Sequence, residues 1–187
     1  MSHNITAGQL SRFCLFRGCT ESEVAAALES CDKVIVQPGD PVITSGQIER
    51  ALWMLVIGSA HVTIDVPGHA GKQVATIGPG SVVGEMSFCR ESPHSASVTA
   101  ESACTFARLD RARFDALAVA NPSLAAKITL NVAELLAARL QATDQWIVEW
   151  MSSADDSRLR DRAEQLRQSF VMRSEATNVF LGLNWQS

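Results

Sequence analysis

Between Asp32 and Asp110 the chain offers only short apolar runs of β type, and glycine or proline interrupts nearly every one. Val34/Val36, residues 52–57, Val62/Ile64/Val66, Val74/Ile77, Val98 and Phe106/Leu109 supply the runs. Pro38-Gly39-Asp40, Gly46, Gly58, Pro67-Gly68, Gly78-Pro79-Gly80 and Gly84 supply the interruptions. No stretch between them has room for the helical crossovers of a Rossmann or TIM arrangement. The pattern predicts a small antiparallel sandwich or barrel.

Helical signals flank this interval. Upstream, Leu10, Phe13, Leu15 and Phe16 form an apolar cluster, and Thr20-Glu21-Ser22-Glu23 reads as a capping box before residues 24–28. Downstream, residues 114–120 read as a short helix ended near Asn121-Pro122. A second helix is expected over 123–151, rich in Ala and Leu. Leu136, Thr143 and Trp150 recur every seven residues with Leu140 and Ile147 between them, a seam suited to a partner helix. Ile128, Val132 and Leu135 lie on another side of that helix, available to the strand-rich core.

Charge and cysteine usage narrow the class. Sixteen basic against twenty acidic residues leave a net charge of −4, which disfavours a surface built to grip nucleic acid. Five cysteines stand singly, with no CxxC pair, and no apolar run reaches the roughly 20 residues of a membrane span. These features predict a cytoplasmic protein without a membrane span. The scattered histidines and cysteines offer no metal-ligand spacing, and Ser95 or Ser97 beside His94 lacks the positioned acid of a catalytic triad. A non-catalytic domain is expected. Cys89 reads as a buried thiol, and Trp146 and Trp150 as packing residues.

The sharpest local feature is Gly78-Pro79-Gly80-Ser81-Val82-Val83-Gly84-Glu85-Met86-Ser87-Phe88, followed by Pro93-His94-Ser95-Ala96-Ser97-Val98. Glycines crowd the backbone before a single helical turn at 85–89, whose N–H groups would attract an anion such as phosphate. Glu85 would repel that anion, yet a carboxylate there can accept hydrogen bonds from a ribose hydroxyl. Ser95 can donate to a phosphate oxygen, and His94 can do so more strongly when protonated.

The stretch from Val83 to Val98 resembles the phosphate-binding cassette of cyclic nucleotide-binding domains, whose usual form is Phe-Gly-Glu-Leu-Ala-Leu, several residues, then Pro-Arg-x-Ala-x-Val. Leu15-Phe16-Arg17-Gly18, Pro38-Gly39-Asp40, Gly46 and Leu52-Trp53-Met54-Leu55-Val56-Ile57-Gly58 follow the family order. Phe114, Asn121-Pro122 and Ala138-Arg139-Leu140-Gln141-Ala142-Thr143 are similar to the helices of catabolite-activator-type regulators. The resemblance implies a mainly β fold with flanking helices: a double-stranded β-helix, or jelly-roll, barrel followed by a long C-terminal helix. It implies a ligand, cyclic AMP or cyclic GMP, held along 84–98, and no other cofactor. Gly84 matches the glycine of the cassette turn, with Met86 and Ser87 after it. Glu85 matches the ribose-binding glutamate and Ser95 a residue contacting the cyclic phosphate. Thr143 falls where a helix residue reaches toward the base, with Asp144 in place of the neighbouring serine.

Three departures qualify these implications. His94 stands where the family has an arginine on the cyclic phosphate. Loss of a charged hydrogen bond worth about 1.5–3 kcal/mol would weaken binding by roughly 10- to 150-fold. Val83 replaces an aromatic residue. Beyond residue 151 about 36 residues remain, short of a winged helix-turn-helix module and without a dense basic helix, so direct DNA binding is not expected. The expected organisation is a domain over 1–151, with helices to 30, the jelly roll over 31–110 and helices over 111–151. A helical extension over 152–187 follows. The expected function is a regulatory domain that binds a cyclic nucleotide weakly and signals through its C-terminal helices. It would act as a homodimer through helix 123–151 and drive a separate effector protein. The alternative is a degenerate fold, without nucleotide, serving as a dimeric interaction module. Glu85 would then be a mere cap or ion-pair partner, and His94 an exposed polar replacement.

Overall fold

A computed structural model describes residues 5–66 and 69–153. Pro67, Gly68 and nearly all of the extension expected over 152–187 lie outside the described residues. One compact unit ends at Leu136 and a second begins at Ala137.

The first unit opens with α1 (Ala7–Leu10), a 3-10 turn (Cys14–Phe16) and α2 (Glu21–Glu29). The capping box expected at α2 is present: Thr20 Oγ1 accepts from the Glu23 N–H, and the Glu23 carboxylate accepts from the Thr20 N–H at 2.7 Å. Eight strands follow among the described residues: β1 (Asp32–Val36), β2 (Pro41–Ile43), β3 (Ala51–Ile57), β4 (Ala60–Val66), β5 (His69–Ile77), β6 (Val82–Val83), β7 (Ser97–Ala100) and β8 (Cys104–Asp110). Helix α3 (Glu85–Cys89) interrupts them after β6. Helices α4 (Arg111–Ala120) and α5 (Pro122–Ser153) end the described chain, with Asp110 capping α4 through the Arg113 N–H.

The strands form two separate antiparallel sheets, ordered β1-β8-β3-β6 and β2-β7-β4-β5, and neither closes on itself. The expected jelly-roll barrel is therefore wrong; the fold is a mixed α/β arrangement of two open sheets with helices. The edge strands explain the lack of closure. β6 has two residues before Gly84 turns the chain into α3, and β2 begins at Pro41, which has no N–H to donate, and shifts register before Ile43. The chain passes from one sheet to the other at Gly58, φ +98°, where a Cβ would sit 2.6 Å from the Ala103 carbonyl oxygen.

Side-chain alternation assigns a face to each residue of β3. Ala51, Trp53 and Leu55 pack with Phe106, Val98 and Ala60 in one cluster that draws on both sheets. Leu52 and Met54 point the other way, into a cluster with Leu10, Phe16, Phe88, Phe114, Leu124 and Ile128. The β1-β8-β3-β6 sheet is thus covered on both faces, by the second sheet and by helices, which is why β3 is buried from Ala51 through Leu55. Asn131 of α5 is buried too, and its Nδ2 donates to the carbonyls of Leu15 at 2.8 Å and Arg17 at 3.0 Å, pinning α5 to the 3-10 turn.

Candidate functional site

Gly84 is the joint between β6 and α3. It has φ +86°, and a Cβ there would be driven onto the Ala51 carbonyl oxygen, with Trp53 Cδ1 3.5 Å away. Only glycine fits both the left-handed backbone and the close approach. In α3, Glu85, Ser87 and Phe88 are buried while Met86 and Cys89 are exposed. Phe88 meets Phe114 of α4 edge-on, ring centroids 5.2 Å apart, and the Arg111 guanidinium lies over both rings. Arg50 Nη2 donates to the Phe88 carbonyl at 3.2 Å. The helix carrying Glu85 and Ser87 is therefore tied to the loop before β3 and to the helical layer.

The segment around His94 is held by the turn after β2. His94 N–H donates to the Gln47 carbonyl at 2.9 Å, and Gly46 N–H donates back to the His94 carbonyl at 2.9 Å. Ser45 adds two bonds, its Oγ donating to the His94 carbonyl at 3.4 Å and its N–H to Ser97 Oγ at 2.9 Å. This clasp fixes the backbone at His94, and the residue is only 8% exposed. His94 is thus not the exposed replacement considered as an alternative. Nδ1 shares a 3.0 Å hydrogen bond with Ser87 Oγ. Nε2 is buried and has no hydrogen-bond partner among the described residues. Leaving such a group unsatisfied costs about 1–3 kcal/mol. The nitrogen has almost no accessible surface, so an oxygen satisfies it only where neighbouring side chains give way, and an anionic oxygen would gain most from doing so.

The expected site residues divide into three groups. Gly84, Glu85, Ser87 and His94 come together at the cassette, with Ser87 and His94 in direct contact. Met86 and Ser95 belong to the same segments but face solvent. Thr143 lies in the second unit, where it is exposed and its Oγ1 donates to the Arg139 carbonyl one helical turn back at 2.9 Å. Ser45, Gln47 and Arg50 brace the cassette and were not singled out from the sequence. The only signal for them is Gly46 as a turn marker, φ +83°, beside polar residues.

Other chemistry is muted. Cys89 is exposed, contrary to its reading as buried. Its thiol is nevertheless pushed up, first by partial burial of the sulfur and then by the Glu85 carboxylate. Burial pushes the Cys31 thiol up to about 12, and it also leads the upward shifts of Cys19 and Cys104. These thiols stay protonated and are poor nucleophiles. Among the described residues no His, Cys, Asp or Glu group could hold a metal ion, and no helix is long and apolar enough to cross a membrane.

Residues 33–121 match the family described as cyclic nucleotide-binding domain. Over 130 residues the chain is 32% identical to the cyclic AMP receptor protein of Thermus thermophilus, an alignment covering 70% of this chain and 58% of that relative. The crystal structure of the Thermus thermophilus catabolite activator protein is similar with a TM-score of 0.67 and 29% identity, over 73% of this chain and 62% of that one. A cyclic nucleotide-binding domain from Methylobacillus flagellatus shares the fold, with a TM-score of 0.71 and 22% identity over 81% of this chain and 88% of that one. The chain spans between 20% and 58% of the length of the curated relatives it matches.

Proposed function

We propose, from the premise that the chain belongs to the cyclic nucleotide-binding domain family through residues 33–121, that it is a non-catalytic regulatory domain taking cyclic AMP or cyclic GMP along 84–98. The observation that carries the reading is the buried, partnerless Nε2 of His94 inside the matching segment. In this reading Nε2 donates to an oxygen of the cyclic phosphate, while Ser95 adds a hydroxyl from the solvent side. Glu85 accepts from the ribose, and Gly84 lets the backbone come close. Met86 and Ser87 line the turn, and Thr143 is assigned to the base side by resemblance alone.

The edge-on pair Phe88–Phe114 is the proposed route outward. Phe88 shares one cluster with Leu117, Leu124 and Ile128, so a displacement of α3 repacks residues of α4 and of the first turns of α5. A ligand shifts that packing only if it favours one arrangement over another. Homodimerisation through helix 123–151 and a separate effector protein belong to the same reading, as does the expected division into a domain over 1–151 and an extension over 152–187.

Calorimetry with cyclic AMP and cyclic GMP tests it, alongside thermal shift. Binding in the micromolar to millimolar range is expected, weakened at least about tenfold in His94→Ala, since a charge-assisted hydrogen bond of roughly 1.5–3 kcal/mol is lost. No heat and no thermal shift at millimolar nucleotide would defeat the proposal. That outcome favours a second reading, a dimeric interaction module without nucleotide. Its support is the Ser87–His94 bond, which already satisfies one ring nitrogen from within the cassette.

A further inference from the structure

We infer that anion capture at His94 is coupled to uptake of one proton, with Ser87 as the positioning residue that makes the coupling inexpensive. The inference rests on the nucleotide-binding reading above and deepens it. A buried imidazole normally resists protonation, because the cation must leave water and because a partner that could only donate to the ring would be lost. Ser87 removes the second obstacle. A hydroxyl is both donor and acceptor, so Ser87 Oγ can donate to bare Nδ1 of the neutral ring and, after rotating its proton, accept from Nδ1–H of the cation. The 3.0 Å bond survives the change of charge.

The other nitrogen supplies the driving force. Nε2 is buried with no partner among the described residues, and a phosphodiester oxygen that reaches it as neighbouring side chains give way meets little competing solvent. A negative charge beside the ring favours the imidazolium, and the proton is taken from solvent or buffer. The charged and titratable groups on the elements packed against His94 are few. On α3 and just after it stand Glu85, Cys89, Arg90 and Glu91; on the loop before β3 stand Glu49 and Arg50. Glu49 is engaged by Trp53 Nε1 at 3.2 Å and by Arg108 Nη2 at 2.8 Å, and Arg50 by the Phe88 carbonyl. β2 and β7 contribute none.

The sign follows from linkage. If binding raises the proton affinity of His94, protonation raises the affinity for the anion equally, so binding is tightest at low pH and fades as pH rises. One proton sets the limit at tenfold per pH unit. The experiment measures the affinity of the whole chain for cyclic AMP between pH 5.5 and 8.5 by calorimetry, in buffers of different ionisation enthalpy that count protons taken up. Adenosine serves as the uncharged control. The wild type should lose affinity with a slope approaching tenfold per unit, and adenosine should show no slope. His94→Arg should bind cyclic AMP without pH dependence, because arginine is permanently charged. Ser87→Ala should weaken binding most at low pH and converge on the wild type at high pH. The imidazole nitrogen signals of His94, followed by NMR in the wild type at one pH, should move toward the protonated pattern as cyclic AMP is added. This last reading needs no variant. Cyclic AMP binding that is flat with pH overturns the coupling and leaves nucleotide binding standing, as does a slope that persists in His94→Arg. A wild type that binds at no pH overturns both.

Discussion

At the scale of single residues, the cassette depends on one backbone conformation. Gly84 occupies the left-handed region with φ +86° and lies against the Ala51 carbonyl of β3. Gly84→Ala should therefore cost about 2 kcal/mol or more, combining the roughly 1–2 kcal/mol left-handed penalty with the steric displacement. Urea denaturation is the check. A loss below about 0.5 kcal/mol would mean that the joint between β6 and α3 relaxes freely. Some of this site is legible in residue order: a glycine before Glu85 marks the turn, and Thr20 with Glu23 marks a cap, because both are settled by neighbours in sequence. The Ser87–His94 pair is not legible. The two lie seven positions apart, no regular element joins them, and the backbone at His94 is held by Ser45, Gly46 and Gln47, which come from a distant turn.

At the scale of elements, the same apolar string can serve different architectures. Residues 52–57 read as a strand from composition, but the unbroken burial of residues 51–55 suits a barrel wall and a sheet covered on both faces alike. The distinction lies in Leu52 and Met54 facing helices while Trp53 and Leu55 face the second sheet. Closure depended on the shortness of β6 and on Pro41, details that hydrophobic patterning does not weigh. Helix α5 is held to the N-terminal helices by polar bonds as well as apolar ones. Lys127 Nζ reaches both carboxylate oxygens of Glu23 at 2.8 Å, and Arg17 pairs with Glu134 at 3.0 Å. The Lys127 bond, followed by the Thr20 N–H, holds the Glu23 carboxyl below the usual carboxylate range. A carboxyl whose folded value is depressed stabilises the fold above its unfolded value and loses that contribution as pH falls through the folded one. Stability should consequently decline on acidification through the carboxylate range, and Lys127→Met should make that decline shallower. Chemical denaturation at pH 7, 5 and 3.5 would check it. An unchanged acid limb in the variant would show that the pair contributes nothing to the attachment of α5.

At the scale of the whole molecule, the question is what the far part of α5 packs against. Every residue from 137 to 149 is exposed, and the exposed set includes Leu140 at 45%, Trp146 at 69%, Ile147 at 36% and Val148 at 56%. A helix by itself is marginal in water, because burial of an apolar stripe supplies most helical stability in proteins. Leu136, Leu140, Thr143, Ile147 and Trp150 alternate at spacings of four and three, the rhythm of a seam that meets an identical seam. Thr143 at the middle of such a seam keeps its hydroxyl satisfied by the Arg139 carbonyl, so it imposes no unpaired polar group on a partner. A second copy of the chain fits this pattern best, and the prediction is a dimer in sedimentation velocity at micromolar concentration. Leu140→Glu combined with Ile147→Glu places two carboxylates in the seam and should give a monomer with reduced helical circular dichroism. The capping box and Asn131, which lie in the first unit, should keep that unit folded in the variant. A wild type that sediments as a monomer, or a double variant that remains dimeric, would remove the seam as the means of association and leave Trp146 and Val148 as the apolar groups to test next.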